Sequence, residues 1–428
     1  MNRYKKSEEL LARALAAMPL GSQTFSKSKT QYPLGVSPYF MVRAKGCRSW
    51  DADGNEYIDF INSLAAVTLG YNDDDVTSAV SKQLQDGVIF SLPHPIETLV
   101  AEKIIEMVPC AEKVRFGKNG SDATAGAIRL ARAYTGRDRV AVCGYHGWQD
   151  WYIGSTARNR GVPKATSDLT HTFVYNDLAS LEKLLIEYPQ QFAAVILEPM
   201  NVVEPSKGFL EGVKTLAHRY GALLVFDETI TGFRYANGGA QEYFNVTPDL
   251  ATFGKGLANG YPVSAVAGRA DVMQLMEEIF FSFTFGGETL SLVAALATMQ
   301  KLQREPVVEQ MFLQGTKLLQ GLNALIDKHG VAHIGKTAGH PTWSFFLIND
   351  ANGYSSWEIK TLYLQEMFAR GILTLGSHNI SYSHGDSEIA ALLSAYDEIL
   401  PILKRAVDEK QMGELLRCSP LQPLFRVR

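Results

Sequence analysis

The sequence has few cysteines and no metal-binding pattern. Only four of its 428 residues are cysteines, at positions 47, 110, 143 and 418, and no two form a C-x-x-C pair. This spacing argues against a disulfide framework and a structural zinc site, and it is typical of a reducing compartment. None of the nine histidines lies in an H-E-x-x-H motif or a similar cluster. We therefore predict no metal site and a cytoplasmic location.

Long hydrophobic runs and an excess of one charge are also missing. No window approaches the about 18 consecutive apolar residues of a membrane span, and the N-terminus has no apolar core of signal-peptide type. With 41 Lys plus Arg against 45 Asp plus Glu, the formal charge is −4. This balance offers no basis for binding nucleic acid or an anionic membrane. Because 46% of the residues are hydrophobic and 20% charged, the chain can bury a large core, and its size favours an enzyme.

Between residues 110 and 270, short β-branched or aromatic runs alternate with segments of helical period. Several runs are apolar on consecutive residues, which is typical of strands buried on both faces. Helical candidates lie between them, and one of these is followed by Gly221 as a C-terminal cap. The pattern predicts an α/β fold with a mostly parallel central sheet, whose ligands bind beyond the carboxyl ends of the strands. The runs are VRFGKN (114–119), RVAVCGY (139–145), HTFVYND (171–177), FAAVILEP (192–199), ALLVFDE (222–228), DLATFGK (249–255) and VSAVAGR (263–269).

Both ends of the chain differ from this middle region. Residues 40–62 predict a β-hairpin with Asp53-Gly54 as its turn. After a long helical stretch near 287–328, short strands (PTWSFFLI, ISYSH) mix with helices. We predict a smaller α+β domain built from 1–65 and 311–428, around a large domain at 66–310.

One segment matches a nucleotide-binding motif. Residues 330–337, GVAHIGKT, fit G-x-x-x-x-G-K-[ST]. A phosphate-binding loop of this kind needs a strand before it and a helix after it, whereas here a predicted helix precedes the loop. A nucleotide-binding function stays as a minor alternative. No G-x-G-x-x-G follows a strand, so a nicotinamide or flavin site has no support.

Polar residues stand at the ends of several predicted strands. Gly120 and Ser121 would start a helix, where free N–H groups and a hydroxyl can bind an anion or simply cap the helix. Glu198, Asp227 and Lys255 each follow a run too apolar to be exposed, and each could belong to a structural ion pair. Together they are the parts of a pyridoxal phosphate (PLP) site: an anion cradle, a carboxylate for the pyridinium nitrogen and a carbonyl-reactive lysine. An aromatic ring from GYHGW would cover the cofactor.

These motifs resemble those of the fold-type I, class III aminotransferases. The similarity rests on VRFGKNGSDATAGAIRLARAYTGRDRV, GYHGW, AAVILEPM, FDETITGFR and PDLATFGKGLANGYPVSAVAGR, and it extends from about residue 7 to beyond 300. Within this family the motifs are similar to those of glutamate-1-semialdehyde 2,1-aminomutase. The resemblance implies a large PLP-binding domain, a small domain from both termini, and a homodimer.

The resemblance also implies roles for individual residues. Lys255 would form the Schiff base with PLP, and Asp227 would pair with the pyridine nitrogen. Tyr145 would stack on the ring with His146 beside it, and Thr289 would reach the phosphate of the neighbouring subunit. Gly120 and Ser121 would bind phosphate, and Glu198 would lie near the cofactor in a role left open.

Departures from the aminomutase bear on the reaction. Lys27 stands where the aminomutase has a carboxylate-binding arginine, and lysine lacks the planar fork of arginine. The segment after GYHGW is shorter than the aminomutase's gating region. We therefore predict an aminotransferase that passes an amino group, through PLP and its aminated form PMP, from a small-molecule donor to an aldehyde or ketone. The acceptor would be a small polar molecule, with a sugar derivative among the candidates, and intramolecular transfer is the alternative. Further polar candidates for the pocket are Gln23, Arg158, Arg160 and a turn predicted at Ser377-His378-Asn379.

Overall fold

The computed structural model describes residues 3–422, which fall into two compact units. The terminal unit comprises residues 3–73 and 309–422, and the middle unit comprises residues 74–308. The strands are β1 Met41–Lys45, β2 Arg48–Asp51, β3 Glu56–Asp59, β4 Lys113–Gly117, β5 Arg139–Cys143, β6 Thr170–Thr172, β7 Phe192–Leu197, β8 Leu223–Asp227, β9 Leu250–Phe253, β10 Ser264–Gly268, β11 Gly335–His340, β12 Trp343–Ile348, β13 Ile372–Leu373 and β14 Ser377–Asn379.

Helices connect these strands in both units. They are α1 Lys5–Ala17, α2 Asn62–Ala65, α3 Asp74–Asp86, α4 Pro95–Met107, α5 Gly120–Thr135, α6 Asp150–Ile153, α7 Lys164–Ser167, α8 Leu178–Glu187, α9 Phe209–Arg219, α10 Ala240–Tyr243, α11 Ala270–Met273, α12 Thr289–Arg304, α13 Val307–His329, α14 Ser356–Ala369, α15 Asp386–Asp408 and α16 Met412–Leu415. No helix within residues 3–422 is both long enough and apolar enough to cross a lipid bilayer.

The middle unit is built on a seven-stranded sheet in the order β4-β10-β9-β8-β7-β5-β6. Strand β10 runs antiparallel to both of its neighbours, and the other adjacent pairs are parallel. Strands β7 and β8 are buried along their whole length, because α5 packs on one face of the sheet and α8 and α9 pack on the other. The α/β fold with a mostly parallel sheet is confirmed, and each of the seven predicted runs overlaps a strand.

The terminal unit contains two smaller sheets, β1-β2-β3-β13 and β11-β12-β14. The turn at Asp53-Gly54 connects β2 to β3 as predicted, and a second hairpin joins β1 to β2. The ISYSH segment was predicted as a strand, but the strand lies just before it, at β14. Residues 66–73 also belong to this unit, since the backbones of Gly46 and Tyr71 exchange two hydrogen bonds of 2.8 and 2.7 Å. The boundary at residue 65 was therefore placed too early.

The nucleotide-binding motif lies in a context that does not suit a phosphate. Helix α13 ends at His329, and Gly330 has a φ of 62°, which is typical of a residue that ends a helix. The Gly335-Lys336-Thr337 part of the motif lies on β11, which continues into the β11–β12 hairpin. No helix N-terminus follows the loop, so the nucleotide-binding alternative is wrong.

Candidate active site

The site is assembled where several strands of the middle unit end. Strands β5, β7, β8 and β9 are parallel, and β4 points the same way because β10 is antiparallel to both β4 and β9. Their carboxyl ends therefore share one edge of the sheet. Lys255, Asp227, Glu198 and the segment 144–146 all follow these ends.

Asp227, at the end of β8, is held by three hydrogen bonds. Its Oδ2 lies 2.8 Å from Nδ1 of His146, and its Oδ1 accepts from the Thr229 N–H at 3.1 Å and the Thr252 hydroxyl at 3.2 Å. Burial raises the pKa of Asp227, but the hydrogen bonds from His146 and Thr229 outweigh it, and the pKa lies below its ordinary value. Asp227 is therefore a buried carboxylate that stays ionised.

His146 lies between the Asp227 carboxylate and the backbone of Cys143. Its ring is 1% exposed, and Nε2 lies 3.1 Å from the carbonyl oxygen of Cys143. Both ring nitrogens thus face oxygen atoms of the protein. The imidazole also packs against Trp151 and Tyr152, which fixes its orientation toward Asp227.

Lys255 follows β9 in a strained conformation. Its φ is 43°, in the left-handed region that a side chain with a Cβ seldom adopts, and the turn Lys255–Ala258 packs against α12. Within residues 3–422 no carboxylate lies within 4.0 Å of its Nζ. Burial lowers the pKa of the Lys255 ammonium, Glu198 and Asp227 oppose this at longer range, and the pKa remains below the ordinary lysine value. The amine is therefore easier to deprotonate than a surface lysine.

The N-terminus of α5 lies beside this lysine. A Cβ on Gly254, the residue before Lys255, would come within 3.7 Å of the Gly120 Cα. Gly120 itself has no room for a side chain, because a Cβ there would lie 2.9 Å from Thr229 Cγ2. The first N–H groups of this 16-residue helix carry the positive end of its dipole. Together with the Ser121 hydroxyl they form a cradle for an anion.

Tyr145 and Glu198 complete this edge. The Tyr145 ring is 49% exposed and meets Tyr152 edge-on, so one of its faces is available to a flat ligand. Glu198 Oε2 accepts from the Tyr145 N–H and from Nδ2 of Asn201, both at 3.0 Å. Burial raises the pKa of the Glu198 carboxyl, and the Asp227 carboxylate raises it further.

Glu228 directly follows Asp227 in the chain, but its side chain is not part of the site. It points away from Asp227, and its carboxylate accepts from the N–H groups of Ala240 and Gln241 at 2.6 and 3.0 Å. The Thr231 hydroxyl adds a third bond of 2.7 Å. Glu228 therefore has a structural role at the start of α10.

Some predicted residues lie elsewhere. Thr289 is fully buried, and its hydroxyl lies 3.0 Å from the carbonyl oxygens of both Gly87 and Val88. Its contact with the phosphate of a neighbouring subunit stays a prediction. Lys27 belongs to the terminal unit, where its Nζ lies 3.4 Å from Ser63 Oγ.

The further polar candidates are divided between the two units. Arg158 and Arg160 are exposed between α6 and α7, and Gln23 is exposed near α1. His378 and Asn379 are buried on β14, where His378 lies 2.7 Å from the Tyr396 hydroxyl. The prediction of a polar turn at 377–379 is therefore wrong.

Sequence reasoning missed the contacts that hold Asp227. It placed His146 beside the cofactor ring, whereas the imidazole is bonded to Asp227, and it did not single out Thr252 at all. Thr252 lies opposite Asp227 in the register of β8 and β9, which brings its hydroxyl to the carboxylate.

Comparison with known proteins points to one family. The family model of the class III aminotransferases matches residues 31–379. The 3-aminobutyryl-CoA aminotransferase of Cloacimonas acidaminovorans (strain Evry) is 35% identical over 381 residues, covering 87% of this chain and 91% of the relative. The FumI protein of Sphingopyxis sp. MTA144, solved in its PLP internal aldimine form, superposes with a TM-score of 0.87 at 28% identity, over 97% of this chain and 99% of that one. A glutamate-1-semialdehyde-aminomutase from Pseudomonas aeruginosa PAO1 shares the fold with a TM-score of 0.81 at 23% identity, over 94% and 95% of the two chains.

Proposed function

The chain belongs to the class III aminotransferases, and we propose that it moves an amino group from a donor to an aldehyde or ketone of a small polar acceptor, with Lys255 as the central catalytic residue. The observation that carries the proposal is the meeting of a lysine without an ion-pair partner, an ionised buried carboxylate and a helix N-terminus at one sheet edge. A structural ion pair would have brought Lys255 and Asp227 into direct contact.

Pyridoxal phosphate is the cofactor of this family, and the residues at the sheet edge fit it. Gly120 and Ser121 would bind its phosphate, because N–H groups at a helix start and a hydroxyl suit an anion. Asp227 would hold the pyridine nitrogen protonated, and Tyr145 would cover one face of the ring. When bound, PLP supplies an electron sink that stabilises negative charge at the substrate carbon next to nitrogen.

Lys255 is proposed to bind the cofactor and to move the proton. Its lowered pKa leaves a larger fraction of Nζ as the neutral amine near neutral pH, and a neutral amine can accept a proton from the substrate carbon. Asp227 keeps its charge through His146 and so holds the proton on the ring nitrogen. Glu198, with its raised pKa, is proposed to stay protonated and to add no second negative charge beside Asp227.

Lys27 is the proposed contact for a polar or anionic group of the substrate. It lines a cavity of about 400 Å³ in the terminal unit together with Tyr32, Ser63 and Tyr71. The adjacent turn has four consecutive positive φ values of 46 to 65° at Asn62–Ala65, a strain typical of functional segments. The substrates proposed are a sugar derivative or a β-amino thioester like the one named for the relative.

The test uses the purified holoenzyme and a ¹⁵N-labelled amino donor. Label should leave the donor and appear in an added oxo acid, oxo sugar or 3-oxo thioester, and the visible spectrum should change when the donor alone is added. Each acceptor is tested in turn with the parent enzyme and with Lys27→Met. The acceptor that takes up the ¹⁵N label identifies the acceptor class. A lack of transfer to every carbonyl acceptor would contradict the proposal.

Intramolecular transfer is the second candidate, favoured by the shared fold with an aminomutase. It predicts isomerisation of an amino aldehyde with no loss of label to an added oxo acid. The same labelling experiment therefore separates the two functions.

We also propose that the enzyme works as a homodimer. Two segments of the middle unit expose large apolar side chains: Phe90 and Leu92 in one, the latter at 79% exposure, and Phe280, Phe283 and Phe285 in the other, the first at 84% exposure. The Thr289 N–H joins the two segments by a 2.9 Å bond to the Val88 carbonyl. Thr284 is one of the exposed hydroxyls in the second segment that a second copy could contact. Sedimentation of the parent enzyme and of Phe285→Ser tests the homodimer. A monomeric parent enzyme would contradict the proposal.

A further inference from the structure

A second cavity of about 400 Å³ lies within the terminal unit, among residues of α14, β12 and the turn before β14. On β12, Ser344 and Phe346 point into the core, so Phe345 and Leu347 point the other way, into the cavity. Trp357 and Lys360 lie three residues apart on α14 and share one side of that helix. The cavity is thus apolar and aromatic on its walls, with a single ammonium group.

Lys360 has no anionic partner. Within residues 3–422 its ammonium makes no hydrogen bond or salt bridge, and its one charge-related contact is with the Trp357 ring, at 5.6 Å from the centroid. Burial alone lowers its pKa, with no carboxylate acting on it. Two acids near the start of α14 are already engaged: Asp350 Oδ1 accepts from the Ser356 N–H at 2.6 Å, and Glu358 caps the helix through Ser355.

This arrangement destabilises the fold, and no hydrogen bond or salt bridge of Lys360 within residues 3–422 compensates for it. A half-buried ammonium without a counterion is unfavourable, and a methionine of similar length would pack against the same aromatic walls without that penalty. The hydroxyls of Ser356 and Ser377 line the cavity as further hydrogen-bond donors. A ligand that carries a negative charge would satisfy the lysine, and an apolar body would fill the space beside it.

We propose that this cavity binds an organic carboxylate, with its carboxylate on Lys360 and its aromatic or aliphatic body between Trp357 and Phe345. The site is separate from the residues assigned to the amino transfer and does not depend on that assignment. A carboxylate is preferred over a phosphate ester, since one monovalent ammonium in an apolar cavity balances one charge.

Benzoate and hexanoate are the probes, titrated by calorimetry into the full-length holoenzyme. Each should bind with one site per chain and a Kd in the millimolar range or below, at least about tenfold weaker in Lys360→Met than in the parent enzyme. Lys360→Arg should retain most of the affinity because it keeps the charge. Lys45→Met, a matched change at an exposed lysine on β1 with no contact to the cavity, should leave binding unchanged. Benzyl alcohol should bind the parent and Lys360→Met equally.

A second measurement reads Lys360 directly. Acetylation by an N-hydroxysuccinimide ester, followed by mass spectrometry, should label Lys360 in the free enzyme and be slowed by saturating benzoate, while Lys45 is labelled equally in both cases. The proposal is overturned if neither probe binds up to about 10 mM. It is equally overturned if Lys360→Met binds both probes as tightly as the parent, or if benzoate leaves the labelling of Lys360 unchanged.

Discussion

Replacing His146 by leucine tests how the charge of Asp227 is maintained. The change removes the 2.8 Å contact, which is the shortest of the three that hold the carboxylate. A hydrogen bond to a charged group contributes about 1.5–3 kcal/mol, and one pKa unit corresponds to about 1.4 kcal/mol. We therefore expect the pKa of Asp227 to rise by about 1–2 units.

The direction of the pH effect follows from the sign of this shift. The pKa of Asp227 is lowered in the folded protein, so the ionised form contributes stability that is present above the unfolded pKa and is lost as the pH falls through the folded pKa. In His146→Leu the loss of stability should begin at higher pH. The acid limb of the plot of kcat/KM against pH should move to higher pH by about 1–2 pH units. His146→Asn should restore part of the shift, because its amide nitrogen can occupy the place of Nδ1.

The assay is kcat/KM against pH for the parent and both variants, with Tm recorded at each pH. Removing a charge-stabilising hydrogen bond should also lower kcat by about tenfold or more at neutral pH. A uniform fall in activity at every pH, with an unmoved acid limb, would contradict the reasoning. His146 would then act only through its packing on Trp151 and Tyr152.

Four further substitutions test other parts of the site. Lys255→Ala should abolish turnover and the visible absorbance of bound cofactor, read from spectra of the purified protein. Glu198→Gln should keep kcat within about threefold of the parent, because burial and Asp227 raise the pKa of Glu198 and a neutral amide replaces a neutral acid. Lys118→Met and Glu288→Gln each remove the 2.9 Å ion pair that ties the turn before α5 to the start of α12. Each should speed PLP loss on dialysis by about tenfold, and the double variant should be no worse than either single one.

Each of these expectations has a contrary outcome. Normal turnover in Lys255→Ala would rule out the proposed function. A loss of more than about a hundredfold in Glu198→Gln would mean that an ionised Glu198 is required. Additive effects of Lys118→Met and Glu288→Gln would show that the two side chains act on the cofactor site independently.

Much of the fold could be predicted because it depends on local pattern. The runs that became β7 and β8 are apolar on consecutive residues, and such runs have few alternatives to a strand buried on both faces. Once the parallel sheet is accepted, Asp227 and Lys255 must lie at the same edge. Gly221 likewise ended α9 one residue beyond its C-cap, with a φ of 70°.

The contacts between distant segments could not be predicted in this way. His146 and Asp227 are 81 residues apart, and neither period nor spacing specifies which polar atom meets which. Thr289 begins α12 and bonds to the Gly87–Val88 backbone 201 and 202 residues away. β14 was missed because Ser377-His378-Asn379 is polar, and it is buried through side-chain bonds that no hydrophobic pattern records.

Asp227 and Glu198 have pKa values that are shifted in opposite directions. Two carboxylates at one buried edge each disfavour the charge of the other. Asp227 has the imidazole of His146, whereas Glu198 has only the Tyr145 N–H and the neutral amide of Asn201. The Asp227 carboxyl is therefore shifted toward its charged form and the Glu198 carboxyl toward its neutral form. Asp227 is suited to an electrostatic role and Glu198 to a hydrogen-bonding one. Burial, with a smaller contribution from the Arg234 guanidinium, outweighs the attraction of both acids and keeps the pKa of the Lys255 amine below its ordinary value.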